Sequence, residues 1–278
     1  MDRRSFTKLA CLGGCLASFK AVAESPALRE ARRKQSLEVS RKAHEAIMSS
    51  EGLKMTGSER IAMLMYPGFT ALDLVGPQYM LASMMGAGIY LISSTNDLNP
   101  VKSDTGLAVV PTHTWDDCPE SLDMLFVPGS ALGVLEAMRD AKFIGFIKAK
   151  AAVSKYVTSV CTGSLLLGKA GLLKGKKATS HWVTLDLLPK FGATPVKERV
   201  VWDGNVITGG GVTAGIDFGL QIIAALRGRV YAETIQLQAE YDPHPPYDSG
   251  SPEKADVLVR DSLRGMFEPL HVDLELEI

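Results

Sequence analysis

"YVTSVCTGSLLLG", Tyr156–Gly168, changes its periodicity at one cysteine. Tyr156–Val160 reads as a short strand, and Gly163–Leu173 carries apolar residues at helical spacing. Cys161 therefore stands on a strand-to-helix turn. Ser159 and Gly163 lie two positions to either side, and a tight nucleophile elbow requires small residues there because the turn leaves no room for bulk. In an open parallel sheet, ligands bind at the carboxyl ends of strands. Backbone N–H groups opening the next helix would point at the sulfur, favour its thiolate and hold an oxyanion. A free cysteine is also an ordinary small buried hydrophobe; the turn position favours the nucleophile.

Outward from this turn, the same alternation recurs. Ile61–Tyr66 is a continuous apolar run stopped by Pro67-Gly68, as expected of a strand covered on both faces. Further runs are Ile89–Ser94, Leu107–Pro111, Asp123–Gly129 and Asn205–Gly211. Helical stretches fall between several of them, at Leu74–Met85, Gly133–Arg139, Phe143–Ser154 and Trp182–Phe191. "ERVVWDGNVITGG" reads as a hairpin turning on Asp203-Gly204. An apolar helix follows Gly211, another spans "ETIQLQAEY", and a last one is expected over Pro252–Phe267. Strands alternating with helices predict an α/β fold with a mostly parallel sheet and helices on both faces. One domain is expected over 59–267, followed by a tail at 268–278.

The amino-terminal part differs in character. Residues 24–58 are polar and charged with a loose helical stripe, and read as a helical extension. Before them, "RRSFTK" resembles a twin-arginine export signal, and Ala21-Val22-Ala23 fits a cleavage site. A signal peptide over 1–23, the export machinery as partner and a periplasmic or secreted location follow as expectations, with a cytoplasmic one if the signal does not operate. Its removal would take Cys11 and Cys15, leaving Cys118 and Cys161, so no disulfide framework is implied. A net charge of −1 argues against a nucleic-acid surface. No apolar run is long enough to span a bilayer, and no Cys/His cluster has zinc-ligand spacing.

Two other residues stand out. Asp73, in "YPGFTALDLVGP", is acidic among Ala71, Leu72, Leu74 and Val75. It is either a helix cap or a desolvated acid whose raised pKa lets it hold and give a proton. His181 in "KKATSHWVTL" is placed to approach the cysteine's side of the sheet, although a lone histidine is more often structural. Gly209–Ala214 matches G-x-G-x-x-A, but too late in the chain for a dinucleotide site.

Together, "YPGFTALDLVGP", "VPGS", "YVTSVCTGSLLLGKAGLLKGKKATSHW", "ERVVWDGNVITGGGVTAGIDFGL" and "QLQAEYDPHPPYDSGSP" resemble the ThiJ/PfpI superfamily, and within it the isonitrile hydratases. The likeness runs from about Ile61 to Pro252. It implies a flavodoxin-like three-layer sandwich, a homodimer, and hydration of a small-molecule isonitrile to a formamide without cofactor or metal. Residue by residue, it implies that Cys161 is the nucleophile, Thr162 its neighbour and Asp73 the acid facing it. Gly129 and Ser130 fall on the family's oxyanion turn, where Ser130 replaces a glycine and takes positive φ less easily. Peptidase-like members often carry His where this chain has Thr162, which weakens a protease reading. His181 matches a residue of glyoxalase- and deglycase-like relatives and so keeps that chemistry open as a rival, with His181 as acid/base. A redox or ligand sensor using Cys161 is the non-enzymatic rival. The related transcription regulators carry a DNA-binding domain after the core, for which too little chain follows here.

Overall fold

The computed structural model describes residues 25–278. The expected export segment, 1–23, lies outside the described residues. Two units are distinguished, one ending at Ser49 and one spanning Ser50–Ile278.

In the first unit, helix α1 (Pro26–Met48) buries none of its residues. Its order comes from local bonds. Ser25 Oγ accepts the Leu28 N–H at 3.2 Å, Pro26 opens the helix, and Arg41 pairs with Glu38 and Glu45 one turn to either side. Each exposed pair of this kind contributes only about 0.3–0.5 kcal/mol.

The second unit runs β1 (Arg60–Met65), α2 (Ala71–Ala82), β2 (Gly88–Ser93), β3 (Val101–Lys102), β4 (Ala108–Val109), β5 (Leu122–Val127), α3 (Gly133–Arg139), α4 (Ala141–Ala152), β6 (Ser154–Val160), α5 (Gly163–Lys169), β7 (Lys177–Ala178), β8 (Thr194–Pro195), β9 (Val200–Asp203), β10 (Val206–Gly209), α6 (Ala214–Arg227), α7 (Arg229–Gln238) and α8 (Val257–Glu277). The main sheet has the order β2-β1-β5-β6-β10-β9, parallel except for β9. Ile61–Met65 of β1 are all fully buried, the absence of alternation that two covered faces demand. Helices α2 and α7 each pack against α6, and α3 packs with α4, α5 and α8, to form the helical layers.

Several elements depart from expectation. Leu107–Pro111 supplies only β4, paired with β3 in a separate two-stranded sheet. Trp182–Phe191 is not an α-helix; it contains a 3₁₀ segment, Leu185–Phe191, with Pro189 inside it and Gly192 (φ 75°) closing it. The compact unit starts at Ser50, not at 59, because Leu53 and Met55 pack on the core and Arg227 draws the segment in. Arg227, buried at the end of α6, donates to both Glu59 carboxylate oxygens and to the carbonyls of Lys54 and Met85. Burial alone would raise the Glu59 pKa, but these bonds hold it below its ordinary value.

The boundary expected after Phe267 is absent. α8 continues through Pro269 to Glu277, buries Leu274 completely, and bonds Glu277 to Lys169 and Arg139. Residues 268–278 are thus part of the packed unit.

Candidate active site

The carboxyl ends of β1, β5, β6 and β10 lie side by side in the sheet, and the chain leaving each one contributes to one site. The elbow after β6 comes first. Cys161 has φ 58°, a left-handed conformation that costs an L-residue about 1–2 kcal/mol and needs to be imposed by its surroundings. Its N–H donates to the carbonyls of Gly209 (3.1 Å), the last residue of β10, and of Gly210 (2.8 Å) just after it. Its own carbonyl accepts the hydroxyls of Ser164 and Ser180, both at 3.2 Å. A Cβ on Gly163 would sit 2.3 Å from the Val127 carbonyl oxygen, so only glycine lets α5 start this close to β5. Ser159, two residues before the cysteine, is fully buried and its hydroxyl has no partner.

Asp73 stands in the first turn of α2, whose N-cap is Thr70. It is not the cap but the desolvated acid: its side chain is fully buried among apolar neighbours. Oδ2 accepts the Gly129 N–H at 2.9 Å, while Oδ1 has no hydrogen-bond partner of ordinary geometry. Burial pushes its pKa from 3.8 up to about 7, opposed by hydrogen bonds from the Cys161 thiol and the Gly129 N–H. Burial also pushes the Cys161 thiol well above its ordinary 9, and the Asp73 carboxylate adds to this; the N–H groups of Thr162 and Val212, directed at the sulfur, draw it down. The proton shared by the pair therefore rests on sulfur. The expected resting thiolate is corrected, because desolvation and a neighbouring carboxylate outweigh two backbone dipoles.

The turn after β5 also differs from expectation. The Gly129 N–H is spent on Asp73, and the Ser130 N–H donates to Thr162 Oγ1 at 2.8 Å. In return the Thr162 hydroxyl donates to the Ser130 carbonyl at 2.7 Å, and Ser130 Oγ binds the Gly68 carbonyl and the Gly133 N–H. Neither amide is free to hold an oxyanion, and Thr162 clamps the elbow to this turn. Ser130 does not take positive φ, so the backbone strain expected of a serine in place of glycine does not arise there. Gly129 is demanded by space: a Cβ would lie 2.6–2.7 Å from Thr162 N, Asp73 Oδ2 and Cys161 Cβ. The groups that do face the sulfur, the Thr162 and Val212 amides, are the ones able to meet charge developing beside it.

His181 lies in the wall of a cavity of about 800 Å³ next to the elbow. Burial pushes its imidazole down to about 4, so it is neutral at pH 7. Nδ1 accepts the Val183 N–H at 3.4 Å, leaving the ring proton on Nε2. The cavity also contacts Ser180, Gly210 and Val212, residues that bond the Cys161 backbone or face its sulfur. Sequence reading missed these. The signal for Val212 was present as the glycine run after β10, set aside with the dinucleotide motif; a lone Ser180 gave none. Among the described residues, no group of three or more His, Cys, Asp and Glu is placed to hold a metal ion, and no helix is long and apolar enough to cross a membrane.

Residues 59–225 match the DJ-1/PfpI family model. The chain is 52% identical over 210 residues to an isonitrile hydratase of Pseudomonas putida, covering 76% of this chain and 90% of that protein. It is similar to the crystal structure of a ThiJ/PfpI family protein from Pseudomonas syringae, with a TM-score of 0.79 and 50% identity over 82% of this chain and 93% of the other. It is also 28% identical, over 66% of its length, to the HTH-type transcriptional regulator GbdR of Pseudomonas aeruginosa, of which it covers 51%. The flavodoxin-like sheet, the elbow cysteine and these matches agree: the chain belongs to the DJ-1/PfpI family.

Proposed function

We propose that this chain is an enzyme that adds water to an isonitrile, R–N≡C, to give the formamide R–NH–CHO, with Cys161 as nucleophile and Asp73 as proton carrier. The observation that carries the reading is the buried thiol–carboxyl pair on a strained elbow; the P. putida relative's name supports the chemistry. An acid with a pKa near 7 both takes and gives a proton at neutral pH.

The ionised Asp73 takes the proton from Sγ as sulfur bonds to the terminal isonitrile carbon. Protonated Asp73 returns it to that carbon, giving the thioimidate R–N=CH–S–Cys161. Asp73 then draws a proton from water as the hydroxyl adds to the same carbon and passes it to the imine nitrogen, giving R–NH–CH(OH)–S–Cys161 with Asp73 ionised again. Breaking the C–S bond forms the carbonyl, and the hydroxyl proton returns through Asp73 to sulfur. The sum is one isonitrile plus one water to one formamide. Thr162 positions the elbow through Ser130 and its own N–H.

Purified protein is expected to convert cyclohexyl isocyanide to N-cyclohexylformamide, with activity lost in Cys161→Ala and reduced at least about 100-fold in Asp73→Asn, within the range typical of a general acid–base group. Full activity in Cys161→Ala would end the proposal. The glyoxalase-like rival needs His181 to donate as an imidazolium, which a pKa of about 4 does not supply at pH 7. A redox sensor favours a stabilised thiolate, whereas Cys161 is held as the thiol.

A further inference from the structure

The cavity beside Cys161 is far larger than the reacting atoms need. Its volume of about 800 Å³ is within the range of clefts that hold whole drug-sized molecules. Its position relative to the reaction is defined by the backbone. Gly210 accepts the Cys161 N–H, Ser180 donates to the Cys161 carbonyl, and the Val212 N–H is directed at the sulfur; all three residues also face the cavity. Cys161 itself is buried behind this wall, which its backbone partners and the Val212 N–H share with the cavity.

The chemistry of the wall indicates what it accepts. Trp182, Leu185, Pro195, Val212 and Pro252 supply apolar surface. The His181 ring lies 5.9 Å from the Trp182 ring and 6.2 Å from the Phe267 ring, centroid to centroid, and the neutral imidazole adds no charge. Such spacings are those of interacting aromatic pairs. The cations of the wall already have carboxylate partners: Lys197 with Glu253, Arg199 with Asp217, Arg260 with Asp261 and Arg264 with Asp186. An anionic substituent would have to compete with these carboxylates, whereas a neutral aromatic one gains contact area without breaking a pair.

We propose that this cavity seats the substrate's R group and that the enzyme prefers isonitriles with large, uncharged, aromatic R groups over small alkyl ones. The substrate class rests on the hydratase reading; the cavity's preference for neutral aromatic ligands does not.

The test has two arms. In the kinetic arm, 2-naphthyl isocyanide and isopropyl isocyanide are compared on the full chain. The ratio of kcat/KM, naphthyl over isopropyl, is expected to exceed 10 and to fall at least tenfold in Leu185→Trp, which fills the cavity, and in Trp182→Ala, which strips its aromatic wall. In the binding arm, calorimetry on Cys161→Ala measures N-(2-naphthyl)formamide, N-isopropylformamide and 6-formamido-2-naphthoate. The neutral naphthyl ligand is expected to bind at least tenfold tighter than either other, with that advantage lost when Leu185→Trp or Trp182→Ala is added. Turnover of both isonitriles with a ratio near 1, or equal binding of the three ligands, would overturn the inference and leave the hydratase reading intact. Selective binding without turnover of any isonitrile would sink the hydratase reading while upholding the cavity's ligand preference.

Discussion

Asp73→Asn isolates one proton equilibrium while preserving the shape of the side chain. The carboxyl is fully buried and its pKa is pushed by burial from 3.8 to about 7. Between these values the folded chain holds a proton that the unfolded chain releases. More protons are then bound in the folded state, so stability falls as pH rises from about 4 to about 7 and is independent of this group above that. At about 1.4 kcal/mol per pH unit, a rise from 3.8 to about 7 corresponds to about 4 kcal/mol. Cys161 adds nothing in this window, because its thiol titrates well above 9 in the folded state. Asparagine cannot ionise and lacks this slope. Guanidinium unfolding of both proteins at about pH 4.5 and about pH 8 gives the difference directly. The stability of the variant relative to wild type should swing in the variant's favour by about 3–4 kcal/mol between the two conditions; any constant effect of the amide cancels. Parallel pH dependence of the two proteins would refute the buried, proton-holding carboxyl. In wild type, kcat/KM for an isonitrile should rise with pH through about 7, since the ionised Asp73 takes the thiol proton.

Other substitutions probe the surrounding frame. Gly129→Ala places a methyl 2.6–2.7 Å from three atoms of the site and should cost about 1–3 kcal/mol in thermal or denaturant unfolding, with loss of isonitrile turnover; unchanged stability would mean the turn yields without strain. Cys161→Gly should be at least as stable as Cys161→Ala despite losing a methyl, because glycine adopts φ 58° without penalty, and calorimetric melting compares the two. Arg227→Met leaves buried Glu59 with only the exposed Lys54 ammonium beside it, 3.3 Å from Oε1, and should destabilise by about 3 kcal/mol near neutral pH, measured by urea unfolding.

The elbow was legible because its signals are local: a strand-like run, a helical run, and Ser159 and Gly163 around Cys161. Asp73 was legible as an acid in apolar company, but its approach to Cys161 depends on β1 and β6 flanking β5, which no local pattern states. The Gly129 and Ser130 amides were misread for the same reason. A motif places the turn, yet the acceptor each N–H finds depends on how closely α2 and the elbow pack against it. The last helix was read as ending before Pro269. Proline there removes only the bond to the carbonyl of Gly265, which is exposed and can be met by water, while Leu274 and Glu277 anchor the turns beyond. Leu107–Pro111 shows the converse: β-forming composition was present, but the run pairs outside the main sheet.

The carboxyl–thiol pair and the cavity draw on different parts of the chain. Asp73 and Gly129 belong to the first half of the compact unit, and the cavity walls come from residues after 178. Cys161 lies between them, joined to the cavity side by bonds from its own backbone to Gly210 and Ser180. Inherited variation can therefore act on the two separately. Changes at Trp182, Leu185 or Pro252 alter what is admitted and leave the acid and its tuning in place, so proteins sharing this elbow can diverge in substrate while keeping one proton economy.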